Sequence, residues 1–174
     1  MLLNDFMPEF HFSERHQAKT TASPHEIFRA ITTMDLSESS MVKFLYFLRR
    51  MPRTSMTLSG MNKIGFKIIG TTKDKELVIG LIGRFWKPIP EMVDVPTEQF
   101  VKFKEKGYAK VALNYFIEET AQGNILSTET RIYCTSVSSR VAFSLYWVMI
   151  RPFSGLIRRA MLKGILKGAG QYAT

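Results

Sequence analysis

Polar and apolar residues alternate through residues 13–21, with Arg15, Gln17 and Lys19 on one side and Glu14, His16 and Ala18 on the other, which predicts a first strand. The period then changes abruptly. Ser23-Pro24-His25-Glu26 is a capping box with proline at the first helical position, and Ile27, Ala30, Ile31 and Met34 follow at helical spacing. A second start signal, Asp35 with Glu38 three residues on or Ser39 nearby, precedes Met41, Phe44, Leu45 and Leu48 on one helical stripe that Pro52 ends. From residue 64 to 135, short β-branched and aromatic runs punctuated by glycine, proline and polar turns predict strands. Residues 65–72 and 76–86 join through Lys73-Asp74-Lys75, and 108–119 joins 125–135 through Thr120-Ala121-Gln122-Gly123-Asn124, so both pairs are antiparallel. The proline-containing stretch 87–97 reads as a loop that could cover an opening.

Residues 138–150 and 154–169 read as helix, interrupted at Pro152, whose missing donor and ring clash predict a break or kink. From Val141 to Ile150 almost no polar face is left before Arg151, the pattern of a helix buried all round. In the strand over 76–86, Leu77, Ile79, Leu81 and Phe85 alternate with Val78, Gly80, Ile82 and Trp86, so both faces are apolar. The second face needs a cover, from this chain or from another subunit in a homodimer. One strand, two short helices, several antiparallel strands and a long C-terminal helix make an α+β plan.

Length adds that 1–174 forms a single domain, with residues 1–9 as an N-terminal extension. A chain of this size buries about 70% of its unfolded surface and needs no disulfide or structural metal to hold a core. Its one cysteine, Cys134, excludes an intramolecular disulfide and a thiolate zinc cluster. The first twelve residues lack the basic start and unbroken apolar core of a secretion signal, and the longest apolar run, 141–150, is about half a membrane span. A cytoplasmic location is expected.

Charge changes the picture more. There are 24 Lys and Arg against 15 Asp and Glu, yet seven of the bases and none of the acids lie after residue 129: Arg131, Arg140, Arg151, Arg158, Arg159, Lys163 and Lys167. Such a tail either is a solvated helix face or meets an anionic partner such as lipid headgroups or nucleic acid.

The element order, with Glu14-Arg15-His16, the Ser23-Pro24-His25-Glu26-Ile27-Phe28 entry, Gly80-Leu81-Ile82-Gly83-Arg84-Phe85-Trp86, Leu126-Ser127-Thr128-Glu129-Thr130-Arg131, Tyr146-Trp147 and Ile150-Arg151-Pro152, resembles the START-related, birch-pollen-allergen and polyketide-cyclase (SRPBCC) superfamily, nearest its small uncharacterised bacterial members. The resemblance spans residues 10–170. It implies a helix-grip fold, a curved antiparallel sheet wrapped around a long C-terminal helix with two short helices after the first strand. It also implies a cavity between sheet and helix for an apolar or amphipathic ligand, but no particular reaction.

Within that frame Tyr146 and Trp147 are candidate cavity wall, each with a donor, and ten methionines suit an adaptable apolar pocket. Ordinary core packing accounts equally well for each aromatic. Arg84 is a cation in an otherwise apolar strand, expected on one face with Trp86, and a Glu129 partner for Arg84 or Arg131 is chemically sensible. Arg84, Trp86, Glu129 and Arg131 could form a polar anchor for a carboxylate or phosphate, with Asn114 a weaker member; the plain alternative is an exposed cross-strand salt bridge. His16 and Glu14 share the inward face as an acid/base pair or a structural histidine.

No metal-ligand spacing, nucleophile elbow, phosphate loop or dinucleotide fingerprint occurs, so no cofactor and no metal are expected. Lys106-Gly107-Tyr108-Ala109-Lys110-Val111 starts like an RNA-recognition core but lacks stacking aromatics at Lys110 and Leu113, which argues against nucleic acid. The leading expectation is a module binding a hydrophobic or amphipathic small molecule. The rivals are a cyclase, dehydratase or hydrolase using the same cavity with His16, Glu129 or Tyr146 as acid/base, and peripheral contact with anionic membrane through the basic last helix.

Overall fold

The computed structural model describes residues 1–33 and 65–170, so the expected second helix after Asp35 lies outside the described residues. The elements are α1 (Leu2–Phe6), β1 (Phe12–Thr20), α2 (Pro24–Thr33), β2 (Lys67–Thr72), β3 (Glu76–Arg84), β4 (Glu91–Val93), α3 (Thr97–Phe100), β5 (Ala109–Thr120), β6 (Gly123–Cys134) and α4 (Val137–Gly168). The strands form one antiparallel sheet in the order β1-β6-β5-β3-β2, with β4 pairing β3. β5 pairs residues 76–83 of β3, so β2 and β4 follow one another along its other edge. With α4 laid across one face, this is a helix-grip α+β fold.

Local signals act as expected at several points. Ser23 and Glu26 exchange capping hydrogen bonds, the Ser23 amide donating to Glu26 Oε2 at 2.9 Å and the Glu26 amide to Ser23 Oγ at 3.3 Å. The β2–β3 hairpin turns at Lys73-Asp74-Lys75, with Asp74 at φ 58°. The β5–β6 hairpin is tighter than its five-residue spacing suggested: pairing continues to Thr120 and Gly123, leaving Ala121 and Gln122 at the tip.

Two expectations are corrected on α4. The helix runs unbroken past Pro152, because Pro152 and Val148 both lie on the solvent side, where water can satisfy the carbonyl that loses its intrahelical partner. Nor is the 141–150 segment buried all round. Phe143 is buried, while Val141, Leu145, Val148 and Met149 are exposed, since the sheet covers only one side.

Both faces of β3 are indeed buried, over Glu76–Gly83. Leu77 and Ile79 meet α2 and the second half of α4 through Ile27, Ile31, Met161 and Ile165. On the other face, Val78 and Ile82 pack under Leu3 and Met7 at the N-terminal end of the chain and under Phe100 of α3. The chain therefore covers this face itself. At Gly80 a side-chain carbon would stand 2.9 Å from both Ile69 and Phe100, so glycine lets the cover sit down on the sheet.

Lys110 is trapped under the same cover, donating to the Val101 carbonyl at 2.9 Å with its ammonium 5.1 Å from the Phe100 ring centre. Burial first, and Lys104 second, lower its pKa from 10.5 to about 8. Between those values the native state holds fewer protons than the unfolded chain, so stability rises with pH across the window and the penalty is fully present below it. Compared with Lys110→Met in guanidinium unfolding, the wild-type protein should gain stability between pH 8 and pH 10.5, by about 1–2 kcal/mol after solvent screening. A difference that stays constant with pH would mean the ammonium is solvated.

Candidate functional site

Strand alternation sends Phe12, Glu14, His16 and Ala18 of β1 toward α4, in register with Ile132, Thr130, Thr128 and Leu126 of β6. The rows continue across the sheet: Thr128 stands beside Tyr115, and Thr130 beside Leu113. Polar side chains thus occupy inward positions in phase with core residues. His16 Nε2 lies 3.0 Å from Glu14 Oε1, with the two side chains 20% and 11% exposed. With Glu14 ionised, the imidazole N–H is the donor, because a carboxylate only accepts.

α4 passes directly over this pair at Gly155, where a Cβ would fall 2.6 Å from Glu14 Oε1 and 3.4 Å from His16 Nε2. A larger residue there would have to displace the Glu14 carboxylate from its place beside His16. Three oxygens in this patch, Glu14 Oε2, Thr128 Oγ1 and Thr130 Oγ1, are buried without a hydrogen-bond partner. Beside them the Tyr115 hydroxyl donates to Met161 Sδ at 3.6 Å, and burial pushes the phenol's pKa up while the Arg158 guanidinium opposes it. The patch offers one free carboxylate acceptor and two hydroxyls able to donate or accept.

An aromatic group adjoins the patch, since Phe12 precedes Glu14 on the same face of β1. Phe143 stands at its centre, with ring centres of Phe12 at 5.2 Å, Tyr146 at 5.5 Å, Trp147 at 5.9 Å, Trp86 at 6.3 Å and Phe85 at 6.4 Å. Tyr146, Trp147 and Trp86, nominated from the sequence, are brought together here.

The other nominated residues are not. β3 ends at Arg84 and the chain turns at Phe85, so alternation lapses and Arg84 does not share a face with Trp86. Its guanidinium sits 4.4 Å from the Tyr108 ring centre and 3.4 Å from Glu91, not beside Glu129. Asn114, Glu129 and Arg131 face away from α4, under α1. Asn114 donates to Glu76 at 2.8 Å and accepts from the Glu129 amide at 2.9 Å, while Arg131 donates to Glu129 at 2.6 Å and to the Met7 carbonyl at 3.0 Å. Glu76 in turn accepts the α1 amides of Leu2 at 2.6 Å and Leu3 at 3.2 Å. Of the two partners that spacing offered Glu129, the structure pairs it with Arg131 and not with Arg84, and the network fastens the N-terminal helix to the sheet rather than facing α4.

Among the described residues no group of three His, Cys, Asp or Glu gathers to hold a metal ion. Burial pushes the Cys134 thiol up to about 12, so it is not a thiolate nucleophile at neutral pH. Thr128 and Thr130 escaped the sequence reading because threonine is common in strands for its shape alone. Their signal was phase: both fall on the alternation of Leu126 and Ile132, where apolar residues are due.

No family model matches this chain, and no curated protein does. Among solved structures it is similar to CalU16 from Micromonospora echinospora, at 15% identity over 92% of this chain and 95% of that one, with a TM-score of 0.27. It is similar also to Ara h 8.0201, at 8% identity over 90% of this chain and 98% of that one, again with a TM-score of 0.27.

Proposed function

We propose that the chain binds a small amphipathic molecule between the sheet and α4, a hydroxyl- or amine-bearing head seated on Glu14, Thr128 and Thr130 and an apolar body against Phe12, Trp86, Tyr146 and Trp147. The observation that supports this most is the set of three buried, unpartnered oxygens on neighbouring strands. Leaving a buried polar atom unpaired costs about 1–3 kcal/mol each, and three in one patch are best explained by a ligand that supplies their partners.

Replacing each threonine hydroxyl by a methyl separates a ligand seat from structural polarity. Thr128→Val/Thr130→Val should hold or raise stability, since no protein hydrogen bond is lost, yet weaken binding of a decanol probe by about tenfold or more. Thermal melts with and without decanol, and native mass spectrometry of both proteins purified from cells, provide the readouts. A variant that melts lower and keeps the same probe-induced shift would show the hydroxyls to be structural.

A further inference from the structure

We infer that the outer face of α4 is a docking surface for an anionic lipid bilayer. Val137, Val141, Leu145, Val148 and Leu156 recur at spacings that keep them on one side of the helix, with Met149 and Phe153 beside them. They are not marginally open: Val141 is 59% exposed, Leu145 74%, Val148 78% and Met149 69%. The stripe over residues 137–156 is about 29 Å long at the helical rise. Contiguous apolar surface on this scale marks an interaction site rather than ordinary solvent contact.

Charge selects the occupant. The same stripe continues toward the C-terminus as Arg159, Lys163 and Lys167, and Arg140 and Arg151 flank its apolar part. α4 contains six Lys and Arg and no Asp or Glu. Two copies meeting through this face would bring unopposed positive charge together. An anionic bilayer answers both features, taking the aliphatic side chains into the headgroup–acyl boundary while the bases lie among the phosphates. Among the described residues no helix is long and apolar enough to cross a membrane, so α4 would lie along the surface. This surface points away from Glu14 and the threonines, and the inference stands whether or not they seat a ligand.

Co-sedimentation of the full chain with phosphatidylcholine vesicles, with and without phosphatidylglycerol, tests it. Wild-type protein should bind the phosphatidylglycerol vesicles and release as salt rises. Arg140→Gln/Arg151→Gln should weaken binding by about fivefold for each charge removed. Leu145→Glu/Val148→Glu, at positions open to solvent, should keep the wild-type circular dichroism and lose binding by about tenfold or more. Equal binding by that variant, equal binding to both vesicle types, or a solution dimer that the variant dissolves would overturn the inference.

Discussion

Arg131→Met should destabilise the protein by about 3 kcal/mol, the low end of the cost of leaving a buried carboxylate without its cation, since Glu129 keeps a little solvent contact. Arg131 is buried, its guanidinium binds Glu129 and the Met7 carbonyl, and its far side lies 4.7 Å from the Phe10 ring centre. Removing it strands Glu129 and loosens the chain leading out of α1. The companion variant Arg131→Met/Glu129→Gln should recover much of the loss, because the stranded charge is gone; urea unfolding of the two singles and the double gives the coupling. Decanol affinity should be unchanged in all three, since this network lies on the face away from α4. A single-variant loss below about 1 kcal/mol would instead describe a solvated pair.

Phe143→Ala is the second large effect, about 3–5 kcal/mol by truncation of a buried aromatic. Only 2% of Phe143 is exposed, and five aromatic rings surround it. Two residues on, Leu145→Ala should stay within about 0.5 kcal/mol, as exposed substitutions do. Trp147, half-buried at the rim of the same group, should fall between them. Denaturant midpoints for the three variants check the order. Comparable losses at Phe143 and Leu145 would mean that α4 is covered on both sides.

The contrast between Phe143 and Leu145 shows where sequence patterning runs out. Period and caps located β1, α2, the β2–β3 hairpin and α4, because each depends on neighbours a few residues apart. The apolar run from 141 to 150 could not say which side meets the sheet, since every side is greasy; the packing of Phe143 on Phe12 and Phe85 shows which side does. Arg84 misled for a related reason, as alternation holds only while the strand lasts and β3 stops there. Spacing left Glu129 a choice between Arg84 and Arg131, and the structure takes Arg131; which face of β6 the pair occupies depends on whether Thr128 or Glu129 shares the phase of Leu126. That phase was readable, and it favoured the threonines. The cover supplied by Leu3, Met7 and Phe100 was not, because short segments docking from distant parts of the chain leave no local period.

The edge-to-edge pairing of β1 with β6 also dictates the tempo at which the protein can assemble. Phe12 aligns with Ile132 and Thr20 with Asn124, so β1 must wait for more than a hundred further residues before its partner exists. On the ribosome, at roughly 5–20 residues per second, that is an interval of about 5–20 seconds during which the edge of β1 lacks its β6 partner. Local helices and the central hairpins can form during the wait, but ring closure of so long a loop makes the final step non-local and slow. The β1 edge is thus the segment most open to a chaperone, or to a neighbouring chain, while synthesis is under way.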